Sequence, residues 1–117
     1  MALSEDAADI MLDAVTDDTT YASLHTGDPG SDGDDEVSGG SPAYARKTIS
    51  WNAASGGSID SSNAPEFDVP GGTTITHWGV WTASSGGTFL FGGSLSAPES
   101  YGSQGDYTLT DADYTVS

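Results

Sequence analysis

The stretch Thr73-Thr74-Ile75-Thr76-His77-Trp78-Gly79-Val80-Trp81-Thr82-Ala83-Ser84-Ser85-Gly86-Gly87-Thr88-Phe89-Leu90-Phe91-Gly92-Gly93-Ser94-Leu95 decides the fold. Thr73 to Thr82 is rich in β-branched and aromatic residues, which pack well on a pleated surface. The Gly86-Gly87 pair then supplies the positive φ that a reversing chain needs. Thr88 to Leu95 follows as a second strand. The whole reads as two antiparallel strands joined at a glycine corner.

Thirty residues upstream the same corner is written again. Trp51-Asn52-Ala53-Ala54-Ser55-Gly56-Gly57 matches Trp81-Thr82-Ala83-Ser84-Ser85-Gly86-Gly87 as Trp-x-Ala-small-Ser-Gly-Gly. Each copy ends a strand, and each tryptophan is placed to anchor that strand before the chain turns. Two equivalent corners of one sheet system are expected.

Further strands extend from these corners. Tyr21 to Thr26 alternates as a strand and runs into the turn Gly27-Asp28-Pro29-Gly30. Tyr44 to Trp51 alternates, Ile59 begins a short piece, and Phe67 to Val69 forms another before Pro70. Tyr107 to Val116 holds one strand or two. Turn signals every ten residues or so point to a mainly β fold, an antiparallel sandwich or a jelly-roll-like barrel. One short helix is expected at 3–17. Ser4 is its N-cap, and Glu5 and Asp6 sit at the positive end of its dipole. Leu3, Ala7, Ile10, Met11, Ala14 and Val15 recur at helical spacing. That stripe is expected to pack on the sheet, or else to dock on a neighbouring subunit, which makes Ile10 and Met11 assembly-contact candidates.

The 117 residues suit a single β-structural domain, 1–117, with one core. A core of that size gains from oligomerisation. The charge is extreme: 18 acidic residues against 2 basic ones, a formal net charge of -16. Self-repulsion on this scale destabilises a compact chain in dilute buffer. At about 1 M salt the Debye length falls to ~3 Å and the repulsion is screened. Fourteen of the acids are the short, well-hydrated aspartate. The surface therefore reads as halophilic, the alternative being an acidic protein that binds cations or mimics DNA. No basic patch exists to meet phosphates, so nucleic acid is excluded as a partner. There is no cysteine, which excludes a disulfide scaffold and cysteine zinc sites. No apolar run approaches the ~20 residues needed to insert in a membrane. The first residues lack the pattern of a signal peptide, so synthesis in the host cytoplasm and release by assembly and lysis are expected.

The motifs of chemistry are missing. There is no His-Glu-x-x-His, no Gly-x-Ser-x-Gly elbow and no phosphate-binding loop. The two histidines, His25 and His77, fall in strands. The chain is expected to be no enzyme and to need no cofactor. The run 31–41 is too polar to pack and is expected as an exposed, mobile acidic loop. Within it Asp32, Asp34, Asp35 and Glu36 are weak candidates for loosely held Na, K, Mg or Ca. The run fails the EF-hand pattern, with Val37 where glycine is required and Ala43 where glutamate is required. Arg46 and Lys47 are the only basic residues. As strand neighbours they point to opposite faces. Both are assembly-contact candidates, Arg46 through an intersubunit ion pair or, alternatively, an intrachain bridge.

Three separated blocks carry a resemblance. They are Tyr21-Ala22-Ser23-Leu24-His25-Thr26-Gly27-Asp28-Pro29-Gly30, then Ala45-Arg46-Lys47-Thr48-Ile49-Ser50-Trp51-Asn52-Ala53-Ala54, then Thr76 to Leu95. In this order they resemble small tail-fibre-like or capsid-decoration structural proteins of tailed viruses. The resemblance implies a non-catalytic virion component, and the aspartate-rich surface implies a haloarchaeal host. The first expectation is a capsid decoration or vertex protein assembled as a symmetric homo-oligomer, with the major capsid protein or tail proteins as partners. The alternative is a tail or tail-fibre component with a host-adhesion role, where Tyr101 would contact surface glycans. An alternative of another class is a carbohydrate-binding module.

Overall fold

The computed structural model describes residues 4–110 and 112–115. The elements in order are α1 (Glu5–Thr16), β1 (Thr20–His25), β2 (Lys47–Ile49), β3 (Ser58–Asp60), β4 (Glu66–Val69), β5 (Thr73–Trp81), β6 (Phe89–Tyr101), β7 (Gly105–Thr108) and β8 (Asp113–Thr115). Four strands form a sheet in the order β2-β1-β5-β6, and β3 pairs with β8 and β4 with β7 in two small sheets. Every named pairing is antiparallel. The fold is mainly β with one short N-terminal helix, as the sequence predicts. Its sheets are open, in the manner of a sandwich rather than a closed barrel. The body is elongated, 45 × 24 × 23 Å.

β1 and β5 lie at the centre of the main sheet, and the alternation of their side chains sorts two faces. On one face Ala22 sits opposite Val80 and Leu24 opposite Trp78, all buried. The two small sheets cover this face. Phe91 of β6 meets Trp78 edge-on at 6.1 Å between ring centroids and Tyr114 of β8 at 4.5 Å. Phe67 of β4 and Leu109 join the same apolar cluster. On the other face Ser23 sits opposite Gly79 and His25 opposite His77. Gly79 is required there by close approach. A Cβ on it would come within 2.8 Å of both the His25 Nε2 and the Ser23 Oγ.

The two corners share their glycine conformation and their tryptophan anchoring, but the first leads into β3 of a small sheet and the second joins β5 to β6 of the main sheet. Gly56 and Gly57 both have positive φ, 62° and 82°, and so do Gly86 and Gly87, 64° and 74°. At the first corner Ser55 and Ser58 exchange backbone hydrogen bonds, closing a two-residue turn of the kind positive φ allows. Each tryptophan donates its indole N–H to a hydroxyl of β1: Trp51 to Thr20 at 3.0 Å and Trp81 to Ser23 at 2.9 Å. Each also packs on a β6 phenylalanine, Trp51 on Phe91 and Trp81 on Phe89.

Several expectations change. The helix runs Glu5–Thr16 within the expected 3–17, with the Ser4 hydroxyl accepting from the Ala7 N–H. Leu3 and Val116 lie outside the described residues. The expected apolar stripe divides: Val15 packs against the core, whereas Ile10 and Met11 are turned away from it. Ala8 and Leu12 are buried, while Ile10 is 70% and Met11 53% exposed. The reason is polar. The Asp9 and Asp13 carboxylates, flanking the buried pair, accept hydrogen bonds from the Gly57 and Ala54 backbone N–H groups at 2.7 and 2.8 Å. These charge-assisted bonds fix the helix by its acidic side against the first corner.

The Tyr44 to Trp51 segment is a strand only at Lys47–Ile49, because Tyr44 and Arg46 are drawn to Glu36. β6 runs beyond Leu95 to Tyr101, and as an edge strand it tolerates Pro98. The last segment contains two strands, β7 and β8.

Candidate functional site

Arg46 is the most heavily bonded side chain on the loop-covered face of the sheet. Its Nε and one terminal nitrogen clasp the two Glu36 carboxylate oxygens, each at 2.9 Å. This fork matches the planar guanidinium to the planar carboxylate. The other terminal nitrogen donates to the Ala83 and Gly86 carbonyls at the second corner, at 3.0 and 2.8 Å. The guanidinium carbon lies 3.7 Å from the centre of the Trp81 ring, a cation–π contact. The Tyr44 hydroxyl donates to Glu36 at 2.9 Å and accepts from the Leu24 N–H at 3.0 Å. Burial, and then the Glu36 charge, push the Tyr44 phenol well above its ordinary pKa. The Arg46 side chain is 8% exposed, so its charge is spent inside the chain. Of the two expectations for Arg46 the structure shows the intrachain bridge, and that bridge is a clamp that ties loop, sheet and corner together.

Behind the clamp runs a buried polar chain with a single consistent assignment. The Trp81 N–H can only donate, so Ser23 Oγ accepts from it. The Ser23 hydroxyl then donates to His25 Nε2 at 2.7 Å, and His25 Nδ1–H donates to the Asp34 carbonyl at 2.7 Å. His25 is fully buried and neutral in this arrangement. Burial lowers its pKa, more than the Asp34 carbonyl and the Glu36 charge raise it. The set resembles a hydrolytic pair only in composition. The serine is buried, its hydroxyl is already used, and the third partner is a backbone carbonyl.

The acidic loop is anchored more firmly than its composition predicts. Asp32, Asp34 and Asp35 are exposed, but Glu36 is the Arg46 partner and Val37 is buried at 4% exposure. The Thr26 N–H bonds to the Asp35 carbonyl and the Val37 N–H to the Leu24 carbonyl. The loop is thus neither wholly exposed nor untethered, because its one apolar residue and one of its acids have partners on the sheet. Among the described residues no three His, Cys, Asp or Glu side chains come together as a metal-binding group.

The remaining candidates lie at the surface. Lys47 is half-buried on β2 opposite Ala22, away from the clamp. Ile10 and Met11 stand on the outward face of α1, with exposed Ala14 one turn on. A groove of about 460 Å³ opens at the C-terminal end of that face, lined by Ala14, Val15, Asp18, Thr20, Thr82 and Leu90 among others. Tyr101, expected to be free for glycans, is half-buried and donates its hydroxyl to the Asp106 carbonyl.

Sequence reading missed Glu36 and Trp81 as partners of Arg46, and Tyr44 as the second donor to Glu36. The signal was present in part: Tyr44 and Arg46 are two residues apart, which in extended chain places them on one face.

The comparisons with known proteins fit a structural role. A family model described as Podophage GP4 fiber I protein gp80 matches residues 3–117, almost the whole chain. Among curated proteins none matches it.

Proposed function

This chain belongs to the podophage GP4 fiber I protein gp80 family, and from that premise we propose that it is a non-enzymatic building block of a tail fibre. As a phage fibre family member it is part of the virion. The single observation that carries the fibre reading is the family match, which spans both corners, the clamp and the helix. It favours the tail-fibre alternative over a capsid decoration. The clamp supports a structural role. Its polar groups are turned inward on one another, which suits a module that must hold shape under load.

The proposal has two further parts. The host is a haloarchaeon and the working medium is concentrated salt, for which the net charge of -16 is the support. The chain functions in several copies as a symmetric homo-oligomer beside other tail proteins, with cations held loosely at most. Particles separated into heads and tails test the fibre reading. Peptides of this chain are expected in the tail fraction, and recovery with the heads alone would overturn it.

A further inference from the structure

The outward face of α1 is apolar where solvent-facing helix surface is ordinarily polar. One turn carries Ile10 and Met11, the two large hydrophobic side chains most exposed among the described residues, and Ala14 extends the stripe into the groove beside Leu90. The helix is held with this side out by its own acids, through Asp9 to Gly57 and Asp13 to Ala54. The orientation is therefore built in, and it leaves apolar surface in water.

The charges around the stripe say what covers it. Glu5 and Asp6 are exposed at one end of the helix and Asp17 and Asp18 at the other. A second copy laid antiparallel on this face would set Glu5 and Asp6 against Asp17 and Asp18. A parallel copy would set each acid against itself. Salt relieves such repulsion poorly once the contact is buried, and like charges facing each other across an interface cost several kcal/mol. Among the described residues neither basic side chain lines this face, since Arg46 is locked in its clamp and Lys47 lies on β2 opposite Ala22.

We propose that the outward face of α1 and the adjoining groove dock a segment of a different protein that presents apolar anchor residues flanked by lysine or arginine. The anchors cover Ile10 and Met11 and enter the groove at Ala14 and Leu90. A flanking cation meets Asp18 at the groove's edge. Contacts between copies of this chain then use other surfaces. The inference rests on the reading of the chain as a fibre building block.

Particles assembled with wild-type and variant chains in competition test it. Asp18 is exposed, so Asp18→Lys leaves the fold in place, which its melting temperature checks. Incorporation of Asp18→Lys is expected to fall by about tenfold or more, because the substitution sets a lysine against the flanking cation. A photoreactive leucine analogue in place of Ile10 is expected to cross-link, in the particle, to another protein at a segment bearing lysine or arginine. Incorporation of Asp18→Lys that is unchanged or raised would overturn the proposal, as would cross-links to a second copy of the chain or none at all in particles that contain it. Absence of the wild-type chain from the particles is a different outcome, and it would overturn the fibre reading itself.

Discussion

Two side chains carry most of the argument at the residue scale. Arg46 neutralises Glu36, satisfies two corner carbonyls and covers Trp81. Arg46→Met keeps the apolar stem but strands the Glu36 carboxylate beside the Tyr44 hydroxyl. Removing one partner of a largely buried pair costs about 3 kcal/mol, and denaturant unfolding at fixed salt is expected to show a loss of that order. Arg46→Lys restores charge without the fork and is expected to fall between. A loss too small to resolve in the methionine variant would mean that the clamp does not hold the loop.

His25 makes stability depend on pH with a definite sign. Its pKa in the folded chain lies below the ordinary 6.5, so the unfolded chain takes up the proton first. His25 therefore favours folding fully above pH 6.5, and that contribution is lost as pH falls from 6.5 to the folded-state value. Protonation also strands a donor. With Nε2 carrying a hydrogen, Ser23 would accept from both His25 and Trp81, and its own O–H would lose its acceptor. Melting temperature is expected to be level from pH 8 to 6.5 and to fall below that, and His25→Gln is expected to remove the fall. A wild-type chain with a level profile throughout would contradict the neutral, buried histidine.

At the scale of elements the sequence was legible where periodicity and turn chemistry agree. β5, its partner β6 and the two Trp-to-Gly-Gly corners follow from alternation and from glycine's access to positive φ. β1 is likewise plain in the sequence. The face of α1 was not. Its apolar residues recur at helical spacing, and spacing alone does not decide between packing on the sheet and facing a neighbour. The deciding contacts join residues more than forty positions apart, Asp9 with Gly57 and Asp13 with Ala54, and no local pattern encodes them. Most of the run 31–41 is exposed, as its composition predicts, but its two tethers were not legible for the same reason. Its composition is that of a solvated run, yet Glu36 and Val37 are fixed by β1, Tyr44 and Arg46. Arg46 and the helix were visible as residues of interest, whereas their partners were not, because a partner across the fold leaves no mark on local sequence.

At the scale of the whole molecule, charge and shape belong together. A body 45 Å long and about half as wide spreads its carboxylates over a large surface, but a net charge of -16 still opposes compaction. Concentrated salt screens that repulsion and strengthens burial of apolar surface. Circular dichroism across a salt series is expected to show the melting temperature climb from dilute buffer to molar salt. A melting temperature that is the same in both would mean that the acids are not an adaptation to salt. The fibre role is tested most directly by a cryo-electron-microscopy map of the intact particle. The account predicts density for the four-stranded sheet and its two small companion sheets in an appendage of the tail, with the outward face of α1 covered by another protein. Density for this fold on the capsid shell and none in the tail would contradict it.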